Sequence, residues 1–145
     1  MKKKIFAMIP ARIGSQRLKK KNLALIKKKP LIEYVVDTAK KTKIFDKIYI
    51  NSDSQIFNKI AFNNGVDFYL RNVKFGSSNT KSDDVVYDFL KKKKCDIVVW
   101  VNPIAPLQDS GEIKKVINFF IQKKLNSLIT TNKMKNHVIY KKKPL

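Results

Sequence analysis

The chain has 145 residues, 43% hydrophobic and 30% charged, with a formal net charge of +21. That length fits a single domain that buries most of its apolar surface, and the balance excludes a disordered chain. A lone cysteine, Cys95, excludes an internal disulfide and a thiolate metal cluster and fits a reducing, cytoplasmic setting. No apolar run approaches the roughly 20 residues that span a bilayer. The apolar stretch 5–10 behind the basic start is too short for the core of a signal peptide, and Arg12 follows at once.

The first strand is expected at 4–10, a short apolar run of the kind buried in a parallel sheet. A polar loop follows over 11–22. Pro30 opens a helix whose inner face is Leu31, Ile32, Val35, Val36 and Ala39. A second strand covers 47–51. Ser52-Asp53-Ser54 caps a helix with Ile56, Phe57, Ile60 and Ala61 inward, and Gly65 ends it. A third strand covers 66–70, and a loop carrying Arg71 and Gly76 leads to Thr80-Lys81-Ser82-Asp83, which resembles a capping box. The helix behind it turns Val85, Val86, Phe89 and Leu90 inward. Residues 96–102 are the most hydrophobic strand segment and are expected at the centre of the sheet, with Pro103 and Pro106 ending it. Asp109 caps a last helix, and further strands are expected at 127–131 and 137–140.

Strand and helix alternate at spacings that fit βαβ crossovers. The expected fold class is α/β: an open, Rossmann-like, mostly parallel sheet with helices on both faces, in one domain over 1–145. Ligands of such sheets bind outside the carboxyl ends of the strands, so loops 11–22, 71–80 and 102–109 should share one rim.

Of the 32 basic residues, 29 are lysines scattered along the chain in short runs, which reads as a solvated compositional background; no nucleic acid and no membrane are expected as partners. The three arginines, Arg12, Arg17 and Arg71, are more informative. Residues 10–22 form the richest segment. Gly14 permits tight turning and close backbone approach, and Ser15 offers a hydroxyl beside N–H groups able to hold phosphate oxygens. Arg12, Arg17, Lys20 and Lys21 surround that turn with positive charge. Neither a Walker loop nor a Gly-x-Gly-x-x-Gly fingerprint is present.

Ile9-Pro10-Ala11-Arg12-Ile13-Gly14-Ser15 with Lys21-Asn22, then Lys29-Pro30-Leu31-Ile32, resembles the opening of the CMP-sugar cytidylyltransferases, which act on acylneuraminate, pseudaminate and legionaminate, with the Kdo enzymes as relatives. Tyr49-Ile50-Asn51-Ser52-Asp53-Ser54 and Arg71 extend the likeness, which covers about the first 112 residues. The resemblance implies a nucleotide-diphospho-sugar transferase type of fold. It implies a reaction that joins CTP to the anomeric hydroxyl of an acidic 2-keto sugar, releasing pyrophosphate, with Mg2+ assisting and a homodimer as the assembly. It places Arg12 and Lys21 in catalytic positions, with Ser15 beside them at the triphosphate. Ala11, Gly14, Asn22, Arg71 and Ser82 would complete the nucleotide site, and Asn102 would meet the sugar.

The chain departs from the family pattern at Asn102-Pro103-Ile104-Ala105-Pro106-Leu107-Gln108, where Ile and Ala replace side chains that hydrogen-bond. Ile13 replaces a second glycine. Arg17-Leu18 stands nearer the Kdo relatives. The family continues beyond residue 145 with a pair of aspartates that hold the metal, so no metal ligand is named here and the chain reads as truncated, with weak turnover expected. Asp53, Asp83, Asp84 and Asp109 all read as helix caps, and His137 as a surface histidine. Other readings are a different sugar nucleotidyltransferase, an inactive fragment, and a polyanion-binding basic domain.

Overall fold

The computed structural model describes residues 2–15, 18 and 20–131, and the backbone of 139–140 and 143–144; Arg17 and His137 lie outside the described residues. Two compact units divide the chain, Met1–Lys115 and Val116–Leu145.

The first unit is built on four parallel strands. β1 (Ile5–Pro10) is followed by a small antiparallel hairpin, β2 (Leu25–Ile26) and β3 (Lys29–Pro30), then α1 (Leu31–Thr42), β4 (Lys47–Ser52), α2 (Ile56–Asn63), β5 (Asp67–Leu70), α3 (Ser82–Lys92) and β6 (Ile97–Trp100). The sheet order is β5-β4-β1-β6. In register, Pro10 lies beside Asn51 and Met8 beside Trp100. The chain winds outward from β1 through β4 to β5, then reverses to place β6 on the free side of β1. Right-handed crossovers put helices made before and after such a reversal on opposite faces. Accordingly, Ala7, Ile9 and Ile50 pack with Ile32, Val36, Phe57 and Ala61 from α1 and α2. Phe6, Met8 and Tyr49 point the other way and pack with Val85 and Phe89 of α3. The alternation along β1 is the period-2 geometry of a strand covered on both sides.

The strand expected at the centre stands at an edge. All six residues of β1 are buried, while Trp100 of β6 is 40% exposed and Val98 and Val99 are half-buried. An apolar run records that a strand is covered, not how many neighbours it has. Two helix faces also differ from expectation: Ile56 (47% exposed) and Leu90 (37% exposed) flank their buried stripes.

Capping departs from the sequence pattern as well. α2 starts after Gln55 with no side-chain cap, and the Ser52 hydroxyl instead accepts the Ser54 N–H at 3.1 Å. The Thr80–Asp83 capping box does not form. Lys81 is the N-cap without a side-chain bond, and the Thr80 hydroxyl donates to the Lys74 carbonyl at 3.2 Å. Asp109 caps as expected, accepting the Glu112 N–H at 3.0 Å ahead of α4 (Ser110–Gln122).

The second unit holds the end of α4 and a hairpin of β7 (Ile139–Tyr140) and β8 (Lys143–Pro144). The strand expected over 137–140 is therefore present at its last two residues, and 137–138 lie outside the described residues. Residues 127–131 form no strand: they join no ladder, and Ile129 is 87% exposed, so they bury no apolar face. No helix among the described residues is long and apolar enough to cross a membrane.

Lys43 closes α1 at φ 54°, a left-handed conformation that costs a side-chain-bearing residue roughly 1–2 kcal/mol. Lys43→Gly is expected to raise stability by about 0.5–1 kcal/mol after glycine's extra chain entropy is subtracted. Phe89→Ala, which empties the core under α3, is expected to cost about 3–5 kcal/mol. Urea unfolding of the three proteins checks both signs.

Candidate functional site

The reversal of winding between β1 and β6 opens a crevice at their carboxyl ends, the place where doubly wound sheets bind ligands. A cleft of about 290 Å³ lies there. Arg12, Ser15, Lys21 and Asn22 line it from the first loop, Arg71, Phe75, Ser77 and Ser82 from the segment after β5, and Trp100, Asn102, Pro103 and Ile104 from the end of β6. The three loops expected on one rim thus meet. A larger hollow of about 410 Å³ lies at the amino ends of β4 and β5, lined by residues that include Lys40, Asp46, Lys47 and Asp67. There Lys47 pairs with Asp67 at 3.2 Å with both side chains about half exposed. That hollow lacks buried polar groups aimed inward, and the cleft has them.

The cleft is organised by an ion pair that the capping pattern conceals. The side chain of Arg71 is 4% exposed and that of Asp53 is 7% exposed, and Nη2 of the one lies 3.7 Å from Oδ1 of the other. The same Oδ1 accepts the Ile13 N–H at 3.1 Å. Nη1 of Arg71 donates to Oδ1 of the fully buried Asn51 at 3.3 Å. Main-chain bonds fix the frame: the Ala11 N–H donates to the Asn51 carbonyl and the Arg71 N–H to the Ser52 carbonyl, each at 2.8 Å. Burial pushes the Arg71 guanidinium below its ordinary range; Asp53 opposes the shift and Arg12 adds to it. An arginine nevertheless stays charged at neutral pH.

Two polar atoms in this frame are buried without a hydrogen-bond partner: Nε of Arg71, a donor, and Oδ1 of Asn22, an acceptor. Asn22 is held by its own amide, which donates to the Arg12 carbonyl at 3.4 Å. Buried polar groups are nearly always satisfied, so these two atoms stand out, and both of their residues line the cleft.

The remaining expected residues divide. Arg12, Ser15, Lys21, Asn22, Arg71, Ser82 and Asn102 all line the cleft. The Ala11 side chain lies in the core with its N–H already bonded to the Asn51 carbonyl, and it does not line the cleft. Gly14 is exposed, and a Cβ there would meet nothing within 4 Å. Asn102 turns its side-chain oxygen onto the Ile104 N–H at 3.2 Å, which shapes the loop after β6. Sequence reasoning missed Asp53, Asn51 and Gly76 as parts of the site. The signal for Gly76 is its scarcity, as one of four glycines. A Cβ there would lie 2.9 Å from Cγ of Asp53 and nearer still to Oδ2, so only glycine leaves the carboxylate its place.

Comparison with known proteins gives a family and a fold. Residues 6–144 match the family model described as cytidylyltransferase. The chain is 30% identical over 125 residues to the N-acylneuraminate cytidylyltransferase of Escherichia coli O18:K1:H7, covering 83% of this chain and 29% of that protein. It is 29% identical over 125 residues to the pseudaminic acid cytidylyltransferase of Campylobacter jejuni subsp. jejuni serotype O:2, covering 82% and 54%. The chain thus spans from under a third to about half the length of these curated relatives. Among solved structures, CMP:2-keto-3-deoxy-manno-octonic acid synthetase complexed with CTP superposes with a TM-score of 0.75 at 20% identity, over 83% of this chain and 48% of that one, a likeness of fold.

The two glycines respond to different constraints. Gly76→Ala is expected to destabilise the protein by about 1–3 kcal/mol, because the Asp53 carboxylate must move. Gly14→Ala is expected to change stability by no more than about 0.5 kcal/mol. Thermal unfolding of the two variants without ligand tests the contrast.

Proposed function

The chain belongs to the cytidylyltransferase family, and from that membership we propose that it activates an acidic 2-keto sugar with CTP, giving the CMP-sugar and pyrophosphate. In that reaction the anomeric hydroxyl oxygen bonds to the α-phosphorus, its proton is lost, and the bond from the α-phosphorus to the bridging oxygen breaks as pyrophosphate leaves. The protein's part is positioning and charge stabilisation, with little covalent chemistry of its own.

One observation carries the reading: Asn22 and Arg71, each with a buried polar atom that has no partner among the described residues, line one cleft with the cations Arg12 and Lys21. Cytosine offers a matching edge, an exocyclic amine that donates and ring atoms that accept. Asn22 and Arg71 are assigned to the base, with Ser82 beside them. Arg12, Lys21 and Ser15 are assigned to the triphosphate, where the two cations offset the charge that builds on the leaving pyrophosphate. Exposed Gly14, with open space around its Cα, lets the main chain approach the phosphates. Asn102, on the β6 side of the cleft, is assigned to the sugar.

No residue is assigned to the Mg2+ that the resemblance implies. The described residues hold no group of three or more His, Cys, Asp or Glu side chains able to bind a metal. Asp53, just past the end of β4, is committed to Arg71 and Ile13. No step is assigned to the ion.

CTP is expected to raise the unfolding temperature more than ATP, GTP or UTP does, with about 2.7 kcal/mol of stabilisation at a hundredfold excess over the dissociation constant. Arg71→Ala should flatten that preference, and Arg12→Ala should weaken all four triphosphates together. Equal shifts with every triphosphate in the unaltered protein would mean that charge alone binds them. Pyrophosphate release from CTP across a panel of acidic 2-keto sugars then identifies the acceptor.

A further inference from the structure

We propose that Asp53 is a positioning residue of this site, one carboxylate that sets the Arg71 guanidinium and anchors the first loop at Ile13. The proposal rests on the nucleotide reading of the cleft and adds to it a residue that touches no substrate.

Asp53 sits just past the carboxyl end of β4, between the two halves of the cleft. Its Oδ1 reaches both the Ile13 N–H (3.1 Å) and Arg71 Nη2 (3.7 Å). Ile13 lies between Arg12 and Ser15, which are assigned to the triphosphate. Arg71 is assigned to the base. The carboxylate therefore ties the phosphate side of the cleft to the base side. With Asn51 on Nη1 and Asp53 near Nη2, the guanidinium is gripped by both terminal nitrogens, which sets the plane it presents to the cleft that Arg71 lines. Gly76 closes over the far oxygen, so a longer acid at position 53 has no room. A carboxylate serving only to cap α2 would bond that helix's N–H groups; α2 has no side-chain cap at all.

The test compares CTP affinity, measured by calorimetry, with the exchange rate of the Ile13 amide in the free protein. Asp53→Asn keeps an oxygen for Ile13 but removes the charge facing Arg71. It is expected to weaken CTP about 10-fold or more, because the buried guanidinium loses its counter-charge, and to leave Ile13 exchange unchanged. Asp53→Ala should weaken CTP at least as much and also speed Ile13 exchange. Asp53→Glu should fail to rescue either. In an Arg71→Met background, Asp53→Asn should add less than about twofold, because its partner is gone. That double variant buries no unpaired charge and supplies the comparison if Asp53→Asn alone folds poorly.

Wild-type CTP affinity in Asp53→Asn, or a loss that adds in full to that of Arg71→Met, would overturn the proposal. If the unaltered protein binds no CTP, the nucleotide reading fails. The exchange data still decide the anchoring in that case: an Ile13 amide unmoved by Asp53→Ala overturns it, and a faster one upholds it.

Discussion

A guanidinium cannot be taken out of water without a counter-charge, and the site depends on how Arg71 meets that requirement. Removing one partner of a buried ion pair typically costs about 3–5 kcal/mol, because the other charge is left stranded. Asp53 supplies the charge, Asn51 supplies a neutral acceptor, and both come from the last turn of the chain around the end of β4. The pair therefore fixes where the carboxyl edge of β4 stands against that of β5. Since Asp53 also accepts from Ile13, the first loop is registered to the same point. One buried carboxylate thus fixes three segments that a parallel sheet would otherwise leave as independent loops.

The sheet's winding decides what those segments can reach. Because the chain reverses after β5, β6 lies beside β1 on the side away from β4, and the loops leaving β1 and β6 both line the cleft. Phe57 and Phe89, both fully buried, seat α2 and α3 on the two faces of the sheet. At the other end of the sheet, Asp46 and Asp96 accept the N–H groups of Ile5 (2.7 Å) and Lys4 (2.6 Å), which pins the start of β1. The backbone hydrogen bond from Ile5 holds the Asp46 carboxyl below its usual range. Polar side chains at the amino ends thus complete the sheet, and those at the carboxyl ends are left with atoms to spare.

What could be read in the sequence was what is local. The apolar run of β1 and the stripe Leu31, Ile32, Val35, Val36 and Ala39 of α1 carry their periodicity within a few residues, and both appear as expected. The rim of the site was legible because a parallel sheet puts all its carboxyl ends on one side. The hairpin of β2 and β3 was not legible. Its turn residues Lys27 and Lys28 have φ of 47° and 68°, where Asn-Gly is the recognisable pair. Asp53 was misread because Ser-Asp-Ser ahead of a helix is a good local capping pattern. Its real partners are Ile13, 40 residues earlier, and Arg71 at the end of β5, and no short-range pattern encodes that. The edge position of β6 escaped for the same reason, since neighbour count is a property of topology.

Under the proposed function, the chain's departures after β6 place a constraint on how charge is shared. The β6 side of the cleft offers Trp100, Pro103 and Ile104, together with an Asn102 whose side-chain oxygen already holds the loop. None of these side chains carries a positive charge. A CTP and an acidic sugar bring several negative charges into a cleft of about 290 Å³. Among the residues that line it, Arg12, Lys21 and Arg71 are the cations, and Arg71 is already paired with Asp53. The two cations of the first loop must then balance the triphosphate, and the polar contacts to the sugar must come from neutral groups. That division explains why the anchoring of Ile13 matters. The loop carrying Arg12 and Lys21 is long, and the bond from its Ile13 N–H to Asp53 fixes it at one point beside the cleft.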